Sequence, residues 1–428
     1  MIPYAQARLV AEHADPVGTE IVSIERALNR IAAQDVRSDD DIVPFARAAM
    51  DGFAISSADT LGADAGGVRL PVAATTYAGD DKLHHRPRTA TAIATGAVLP
   101  LGADAVVAIE DTHAAGEAVV IPSGVPAGCH VFPPGEDARR GDHLVGRAER
   151  LGPGAVALLA AAGKSSISVF RRPRVALVCT GDELVAVHER PRLGQIRNSN
   201  ASLIAASVWA LGADVVSVQR CCDDRKALES AMAAALGEAD LLLTTGGASN
   251  GPRDFVKDTL AALGAQFAFD SVALRPGKPT AIGRIRRAWV GVLPGNPAAA
   301  FVAFTTLVRP LMARLSGRIA RDPETVSARL RAPMHARAGR QHFVFAKLGH
   351  DRSGFWAQPL GNQCSALVAT AARADCLIAL EPDNRDLSGG EAVWVEVIDW
   401  QGVDFSAHRR QAGFAHASIF GAARETHA

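Results

Sequence analysis

The sequence predicts a multidomain α/β protein with a parallel sheet covered by helices on both faces. At 428 residues the chain is too long for one hydrophobic core and is expected to divide into domains. Between residues 173 and 320, apolar strand-like segments alternate with helical segments, the pattern of a parallel sheet. Residues 43–141 and 321–402 instead contain short β-favouring pieces between glycine and proline turns, which predicts two smaller β-domains.

The N-terminal part predicts a helical domain that is interrupted by one of these β-domains. Apolar residues recur at helical spacing over Thr19–Ala33, which predicts an amphipathic helix. The later run LGPGAVALLAAAGKSS again predicts a helix, with Pro153 in its first turn and Gly163 at its C-terminal cap. We therefore expect a discontinuous helical domain I at 1–42 and 142–172, with the β-rich domain II inserted at 43–141.

The segments of the α/β domain III, at 173–320, follow in a regular order. Its expected strands are RVALVC, DVVSV, DLLLT, TAIGRI and AWVGVL, and its expected helices cover residues 201–211, 225–236, 255–263 and 297–315. Gly212, Gly237 and Gly264 are placed to end the first three helices. In the C-terminal β-domain IV, at 321–402, we expect the strands FVFAKL, CLIALE and AVWVEV, followed by a loosely held tail at 403–428.

Composition excludes several classes of protein. Lysine plus arginine equal aspartate plus glutamate at 45 each, so net charge favours neither nucleic acid nor an anionic membrane as a partner. Apolar runs such as Ala155–Ala162 are too short to cross a bilayer, and the N-terminus lacks the pattern of a secretory signal. The six cysteines contain no C-x-x-C pair, which disfavours zinc and iron–sulfur sites. The protein is expected to be cytoplasmic.

Unusual polar residues follow four of the predicted strands. The segments are CTGDEL at 179–184, CCDD at 221–224, TTGGASNGPRD at 244–254 and LPGNP at 293–297. Ligands of an open parallel sheet bind outside the carboxyl ends of its strands, so we expect these segments to surround one crevice. Their glycines let backbone amides approach a ligand, and their hydroxyl groups can donate to phosphate oxygens.

Each acidic residue also has a simpler interpretation. Asp223, Asp224 and Asp254 each precede a predicted helix, and for any one of them helix capping is the more common role. The presence of several acidic residues at one edge of the sheet favours a different role, in which their carboxylates hold Mg²⁺ against a phosphate. Glu183 in particular is less easily explained as a helix cap. GKSS at 163–166 lacks the first P-loop glycine, and GPGAVA at 152–157 lacks the third Rossmann glycine, so ATPases and NAD enzymes are disfavoured.

Several segments together resemble the molybdopterin molybdenumtransferases of the MoeA and gephyrin E-domain type. They are AMDGFA, ATGAVLP, GADAVVAIE, GEDARRG, CTGDEL, TTGGASNGPRD, RPGKPTAIG and LPGNP, in the order of the family, and the resemblance spans about residues 5 to 400. It implies a homodimer of four-domain subunits whose active site is shared between subunits. It also implies that molybdate is inserted into adenylated molybdopterin, with release of AMP by Mg²⁺-dependent hydrolysis.

The resemblance assigns roles residue by residue. It implies that Asp51, Thr95, Glu183 and Asp254 are catalytic, with Asp51 and Thr95 acting from the partner's β-insert. It implies Mg²⁺ ligands among Glu183, Asp223 and Asp254. Substrate binding falls to Thr180, Gly246, Gly247, Ser249, Lys257, Arg275, Lys278, Pro294, Pro297 and Ser365, with Glu110 and Asp137 shaping the insert. Transient contacts with molybdopterin adenylyltransferase and apo-molybdoenzymes are also implied.

Three positions depart from the family pattern. Ser271 and Arg275 stand where lysines are usual, and Phe345 stands where an arginine is expected. Arg275 keeps its charge but not the geometry of an ammonium, while Arg253 and Arg340 are candidates to compensate. The missing cations motivate an alternative to catalysis, in which the protein is a carrier, chaperone or sensor that holds molybdopterin without inserting metal. A further alternative is a scaffold that recruits apoenzymes.

Overall fold

The computed structural model describes residues 1–61, 66–248, 254–319, 325–335, 338–383 and 386–398. The chain divides into two compact units. Unit 2 is Glu20–Val169, and unit 1 combines Met1–Thr19 with the chain from Phe170 onwards.

The helices and strands are numbered in chain order. The helices are α1 Tyr4–Leu9, α2 Pro153–Ala161, α3 Ser199–Ala210, α4 Arg225–Glu238, α5 Val256–Ala262, α6 Pro297–Ala303, α7 Arg309–Leu315 and α8 Val368–Arg373. The strands as far as residue 170 are β1 Thr19–Ser23, β2 Val36–Arg37, β3 Arg47–Ala48, β4 Gly52–Ile55, β5 Val68–Thr76, β6 Ala90–Ile93, β7 Ala105–Ala108, β8 His113–Ala115, β9 Ala118–Ile121, β10 Val131–Phe132, β11 His143–Val145 and β12 Ser166–Phe170. Those that follow are β13 Arg174–Thr180, β14 Leu184–Val185, β15 Ile196–Arg197, β16 Asp214–Cys221, β17 Leu241–Thr245, β18 Gln266–Phe269, β19 Leu274–Arg275, β20 Ala281–Ile285, β21 Ala288–Leu293, β22 Thr325–Leu330, β23 Gln341–Asp351, β24 Gly354–Pro359, β25 Cys376–Leu380 and β26 Ala392–Val397.

The central sheet of unit 1 has the strand order β16-β13-β17-β21-β20-β18. Strands β16, β13, β17 and β21 run parallel to one another, as predicted. The edge differs from a purely parallel sheet, because β20 and β18 are antiparallel to their neighbours. Every residue of β17 is buried, the pattern of a strand covered on both faces.

Helices cover both faces of this sheet. Buried side chains of α3, α6 and α7 pack against one face, and those of α4 and α5 pack against the other. The helix from Pro297 to Leu315, with a π-helical turn at Phe304–Val308, is long and apolar enough to cross a membrane. However, 72% of its most apolar window is buried inside the protein, so it serves as a core helix here.

The predicted end of α4 is wrong by two residues. This helix continues to Glu238, so Gly237 lies inside its last turn and is not the residue that ends it. Gly212 and Gly264, in contrast, adopt the positive φ angles of +76° and +95° that a glycine helix terminus uses. A residue inside a helix does not need to be glycine, whereas a residue at a positive φ angle favours it. The sequence pattern alone could not show which of these applies to Gly237.

Replacing Gly237 with alanine is therefore expected to stabilise the protein. No atom lies within 4 Å of the position that the new Cβ would occupy. Alanine loses less conformational entropy in a helix than glycine, which gives a gain of about 0.5–1 kcal/mol. Urea unfolding of Gly237→Ala checks this value. The matched variant Gly212→Ala, at a positive φ angle, is expected to destabilise instead.

The C-terminal sheet of unit 1 has the order β19-β23-β24-β22-β26-β25, and an additional pairing of β23 with β25 closes it on itself. The strands expected in domain IV are confirmed as β23, β25 and β26. The N-terminal helix α1 belongs to unit 1 as well, because Ala7 is part of its main core and Tyr4 makes an edge contact with Phe343 at 5.4 Å. This placement differs from the assignment of residues 1–42 to domain I.

The amphipathic helix predicted over Thr19–Ala33 is wrong. The segment forms β1, which pairs with β12, and then a single 3₁₀ turn at Ile24–Arg26. Its apolar residues do not share a buried face, since Ile21 is 76% exposed while Ile31 is 4% exposed. Pairing with β12, which is distant in sequence, overrides the local helical spacing. The helix predicted at Pro153 is confirmed as α2, and Gly163 follows it with φ +74°.

The inserted β-rich region forms a sheet with the order β7-β4-β6-β5-β9-β8. Short β-favouring pieces of this region are confirmed as strands, among them β6, β7 and β9. Gly52, in β4, lies so close to β7 that an added Cβ would be 1.9 Å from the carbonyl oxygen of Val107. This contact fixes the start of β4 and therefore the position of Asp51, the residue before it.

Candidate functional site

One cavity of about 690 Å³ lies at the carboxyl ends of the parallel strands in unit 1. The loops that follow β13, β16, β17 and β21 all contribute to its wall, as the order of strands leads one to expect. From the predicted site residues it gathers Thr180, Glu183, Asp223, Gly246, Gly247, Asp254, Pro294 and Pro297. Its volume lies within the range typical of small-molecule sites.

Glu183 is held by a short parallel strand pair beyond the main sheet. Strand β14 pairs with β15, and the amide of Ile196 donates to the Glu183 carbonyl oxygen at 2.9 Å. The Glu183 carboxylate lies over Gly181, where an added Cβ would approach Oε2 to 2.5 Å. The backbone of Glu183 is therefore fixed, and its exposed carboxylate lies at the cavity wall.

The acids at the other strand ends differ in their local roles. Asp224 is the N-cap of α4 and accepts a hydrogen bond from the Ala227 amide at 2.9 Å. Asp223 instead accepts a hydrogen bond from the hydroxyl of Thr180, across two strand ends. Asp254 does not occupy a cap position, because the N-cap residue of α5 is Phe255. The capping interpretation therefore applies to Asp224 and not to the two acids that line the cavity.

Gly246 and Gly247 form the floor of the cavity after β17. They have φ angles of +89° and +55°, which favour glycine. An added Cβ on Gly246 would lie 2.2 Å from the carbonyl oxygen of Thr180, so no other residue fits without movement of β13. The main chain of this loop therefore passes directly against the end of the neighbouring strand.

The LPGNP loop is fixed by side chains from two other elements. The amide group of Asn200 donates to the Gly295 carbonyl oxygen at 2.8 Å. From the C-terminal domain, the Ser365 hydroxyl accepts a hydrogen bond from the Asn296 side chain at 3.2 Å. The Ser365 carbonyl oxygen accepts another from the Ala298 amide at 3.0 Å. Ser365 therefore supports the loop, while its neighbour Ala366 lines the cavity.

The carboxylates of the cavity suit a hard cation only in part. Glu183, Asp223 and Asp254 supply the oxygen ligands that Mg²⁺ prefers. Among the described residues, however, no three acidic, histidine or cysteine side chains are grouped closely enough to enclose a metal. Mg²⁺ is commonly held by one or two carboxylates together with substrate phosphates. The donor set fits an ion that a bound phosphate completes, and it does not form a complete protein cage.

The predicted basic residues do not line this cavity. Lys257 donates to the Asp270 carbonyl oxygen at 2.7 Å, and burial lowers the pKa of its ammonium group. Lys278 is exposed, although its neighbour Pro279 reaches the cavity wall. Arg275 lies in β19 and pairs in register with His342 of β23. Ser249, the remaining predicted binding residue of this unit, lies outside the described residues.

The departures from the family pattern have structural consequences. Phe345 is 2% exposed and packs against Phe301, with ring centroids 6.2 Å apart. The side chain of Gln363 bonds to both backbone groups of Phe345. This position is therefore part of the core and offers no cation. Arg340 does not line the cavity, and Arg253 lies outside the described residues.

Asp51 and Thr95 form a compact pair in unit 2. One carboxylate oxygen of Asp51 accepts hydrogen bonds from the Thr95 amide at 2.7 Å and from the Thr95 hydroxyl at 2.8 Å. The bond from the amide, followed by that from the hydroxyl, lowers the pKa of Asp51 below its usual value. Asp51 is exposed, so its carboxylate is ionised, oriented and accessible at neutral pH.

The other predicted residues of unit 2 lie elsewhere on its surface. Glu110 is on the 3₁₀ turn Ile109–Asp111 and lines a separate cavity of about 420 Å³. The amide of Ile109 donates to the Asp51 carbonyl oxygen at 3.0 Å, which links this turn to the Asp51 backbone. Asp137 is exposed in the turn before Ala138. The Asp51 side chain is therefore bonded directly to Thr95. Glu110 is linked to Asp51 only through the backbone of its 3₁₀ turn.

Removing the Thr95 hydroxyl is expected to raise the pKa of Asp51. Thr95→Val keeps the shape of the side chain and the backbone donor but deletes one hydrogen bond to the ionised form. The carboxylate is then protonated at a higher pH than in the unaltered protein. Titration of ¹³C-labelled aspartate by NMR measures the change. Thr91→Val, in the strand β6 that precedes Thr95 and without a bond to Asp51, is the control.

Sequence reasoning missed the segment 197–200. Arg197, Asn198, Ser199 and Asn200 all line the cavity, although the helix was predicted to begin only at 201. Asn198 is the N-cap of α3 and accepts a hydrogen bond from the Ala201 amide at 3.1 Å. An asparagine three residues before the first periodic apolar position is a recognisable helix start, and it could have indicated that α3 begins at the site.

Sequence profiles of known families match nearly all of the chain. Residues 2–163 match the MoeA N-terminal region, domains I and II. Residues 176–314 match a probable molybdopterin-binding domain, and residues 327–398 match the MoeA C-terminal region, domain IV. The cavity described above lies mainly within the second of these regions.

Curated relatives and solved structures agree with the profiles. The molybdopterin molybdenumtransferase of Haemophilus influenzae is 32% identical over 92% of this chain and 97% of its own length. That of Bacillus subtilis is 34% identical over 89% of this chain and 90% of its own length. A molybdopterin biosynthesis MoeA protein of Pyrococcus horikoshii superposes with a TM-score of 0.80 at 32% identity, covering 93% of this chain and 99% of that one. From this agreement in sequence, fold and site, the chain belongs to the MoeA family.

Proposed function

We propose that this protein is a molybdopterin molybdenumtransferase, which inserts molybdate into adenylated molybdopterin and releases AMP. The observation that carries the proposal is the meeting of four strand-end loops at one cavity, in a chain of this family. Relatives that match almost the whole chain have this name. The cavity combines exposed main chain at Gly246 and Gly247 with three carboxylates, which suits a phosphorylated ligand accompanied by a cation.

Each part of the cavity has a separate task in this proposal. Glu183 and Asp254 would hold Mg²⁺, with Asp223 in support, and the ion would offset charge on the phosphate oxygens. The LPGNP loop, fixed by Asn200 and Ser365, would orient the oxyanion end of the substrate. Such fixed polar groups stabilise developing charge because they need no reorganisation during the reaction.

We further propose that the active form is a cytoplasmic homodimer, with Asp51 and Thr95 acting from the partner subunit. The pair is oriented, ionised and accessible on unit 2, as a group that completes a site needs to be. Molybdopterin adenylyltransferase and apo-molybdoenzymes would be its transient partners, as donor of the substrate and acceptors of the product.

The test incubates the purified protein with adenylated molybdopterin, molybdate and Mg²⁺. AMP release is measured by chromatography, and cofactor formation is measured by activation of an apo-molybdoenzyme. Both products are expected, and both should depend on Mg²⁺ and on molybdate. Binding of adenylated molybdopterin with neither product would reject the transferase proposal and support the carrier alternative.

A further inference from the structure

Among the described residues that line the cavity, Arg197 supplies the only basic side chain, and the acids Glu183, Asp223 and Asp254 line the same cavity. A ligand with several phosphate or oxo groups needs positive charge close to it. The basic residues expected from the sequence do not line the cavity. Among the described basic residues, Arg197 is therefore the one best placed to bind an anionic ligand in the cavity.

The position of Arg197 is fixed by the backbone around it. Arg197 lies in β15, in register with Val185 of β14, and its Nε atom donates to the Val187 carbonyl oxygen at 2.9 Å. The two Nη atoms form no hydrogen bond with the described residues, and Arg197 forms no ion pair with a described carboxylate. One nitrogen therefore orients the guanidinium group, and its two terminal nitrogens remain available to a ligand.

Helix α3 begins two residues after Arg197, with Asn198 as its N-cap, at the same wall. The first backbone amides of a helix have no acceptor within it, and only that of Ala201 is capped, by Asn198. Ser199 and Asn200 are the first two residues of this 12-residue helix, and both line the cavity. Uncapped amides at a helix start and a neighbouring arginine together suit a tetrahedral oxyanion.

Asn200 gives independent evidence that this wall receives a ligand. Asn200 is 8% exposed, and its Nδ2 atom donates a hydrogen bond to the Gly295 carbonyl oxygen. Its Oδ1 atom is buried and has no hydrogen-bond partner among the described residues. A buried acceptor without a donor is costly, and a ligand hydroxyl or ring N–H would satisfy it.

We propose that Arg197 and the first turn of α3 bind a phosphate group of the nucleotide-bearing substrate. The identity of that substrate rests on the proposed function. Arg197 is not among the substrate-binding residues that the family resemblance implies. The Arg197 guanidinium would form two parallel hydrogen bonds to phosphate oxygens, and the amides of Ser199 and Asn200 would complete the contact.

The test compares AMP with adenosine, which lacks the phosphate, by isothermal titration calorimetry on the full-length protein. The unaltered protein is expected to bind AMP at least about 10-fold more tightly than adenosine. Arg197→Ala and Arg197→Gln are expected to weaken AMP binding by about 10- to 100-fold and to leave adenosine binding within about 3-fold. Arg192→Ala, an exposed arginine of the same segment outside the cavity, is the control and should change neither.

Three results would overturn the assignment. They are an unaltered protein that does not distinguish AMP from adenosine, Arg197 variants that bind AMP normally, and Arg197 variants that lose molybdate binding alone. Unfolding curves of the variants should match that of the unaltered protein, since Arg197 is exposed. If the variants selectively lose AMP while the unaltered protein releases no AMP from adenylated molybdopterin, the phosphate site stands and the proposed function fails.

Discussion

Alanine at Asp51 or at Glu183 is expected to reduce AMP release by on the order of 100- to 1,000-fold while the protein remains folded and keeps the oligomeric state of the unaltered protein. Asp51 presents an ionised carboxylate that Thr95 orients, and Glu183 presents one at the cavity wall. Both are exposed, so their removal leaves no buried group without a partner. Single-turnover measurement of AMP from adenylated molybdopterin gives the rates, and size-exclusion chromatography compares the oligomeric state of each variant with that of the unaltered protein.

Mixing the two inactive variants tests whether the site is shared. If Asp51 acts on the cavity of the partner, a mixed dimer of Asp51→Ala and Glu183→Ala chains contains one intact site and one doubly altered site. Random 1:1 mixing makes about half of the dimers mixed, so about a quarter of the unaltered activity should return. No recovery after demonstrated subunit exchange would contradict a shared site.

A control variant separates loss of catalysis from a general effect of removing charge. Glu189 is exposed in the loop between β14 and β15, six residues after Glu183, and does not line the cavity. Glu189→Ala should keep AMP release within about 2-fold of the unaltered protein, because surface substitutions away from a site have small effects. Normal turnover in Glu183→Ala would refute the role proposed for that residue.

Gly246→Ala is expected to destabilise the protein by about 2–4 kcal/mol and to abolish AMP release. The backbone at this position has φ +89°, and the added Cβ would lie 2.2 Å from the carbonyl oxygen of Thr180. Relief of this overlap requires β13 and β17 to separate at the end where the cavity forms. Urea unfolding measures the loss of stability, and AMP release measures the loss of function.

Gly295→Ala provides the matched comparison for stability. Gly295 lies in the adjacent loop, and its added Cβ would meet the Cα of Gly246 at 3.5 Å, an ordinary contact. Its stability should therefore stay within about 1 kcal/mol of the unaltered protein. If both substitutions destabilise the protein equally, the overlap with the Thr180 carbonyl oxygen is not the reason that glycine is needed at position 246.

Local patterns predicted the central sheet because its inner strands β13, β17 and β21 are almost completely buried. The run Leu241–Leu243, for example, is apolar in the sequence, and it opens β17, in which every residue is buried. The prediction for Thr19–Ala33 failed because a long-range contact decides the structure there. Pairing between β1 and the distant β12 overrides the helical spacing of the apolar residues. Spacing within one segment cannot report a partner that lies more than a hundred residues away.

The sequence by itself determined the α/β class, the parallel core and the strand ends that carry polar residues, because these follow from burial patterns and from the chemistry of strand-to-helix loops. Only the tertiary structure decided which polar groups meet. It placed Arg197 and Asn200 at the cavity, Asp224 on a helix cap and Phe345 in the core. The physical reason is that a side chain's role depends on neighbours from distant segments, and packing alone brings those neighbours together.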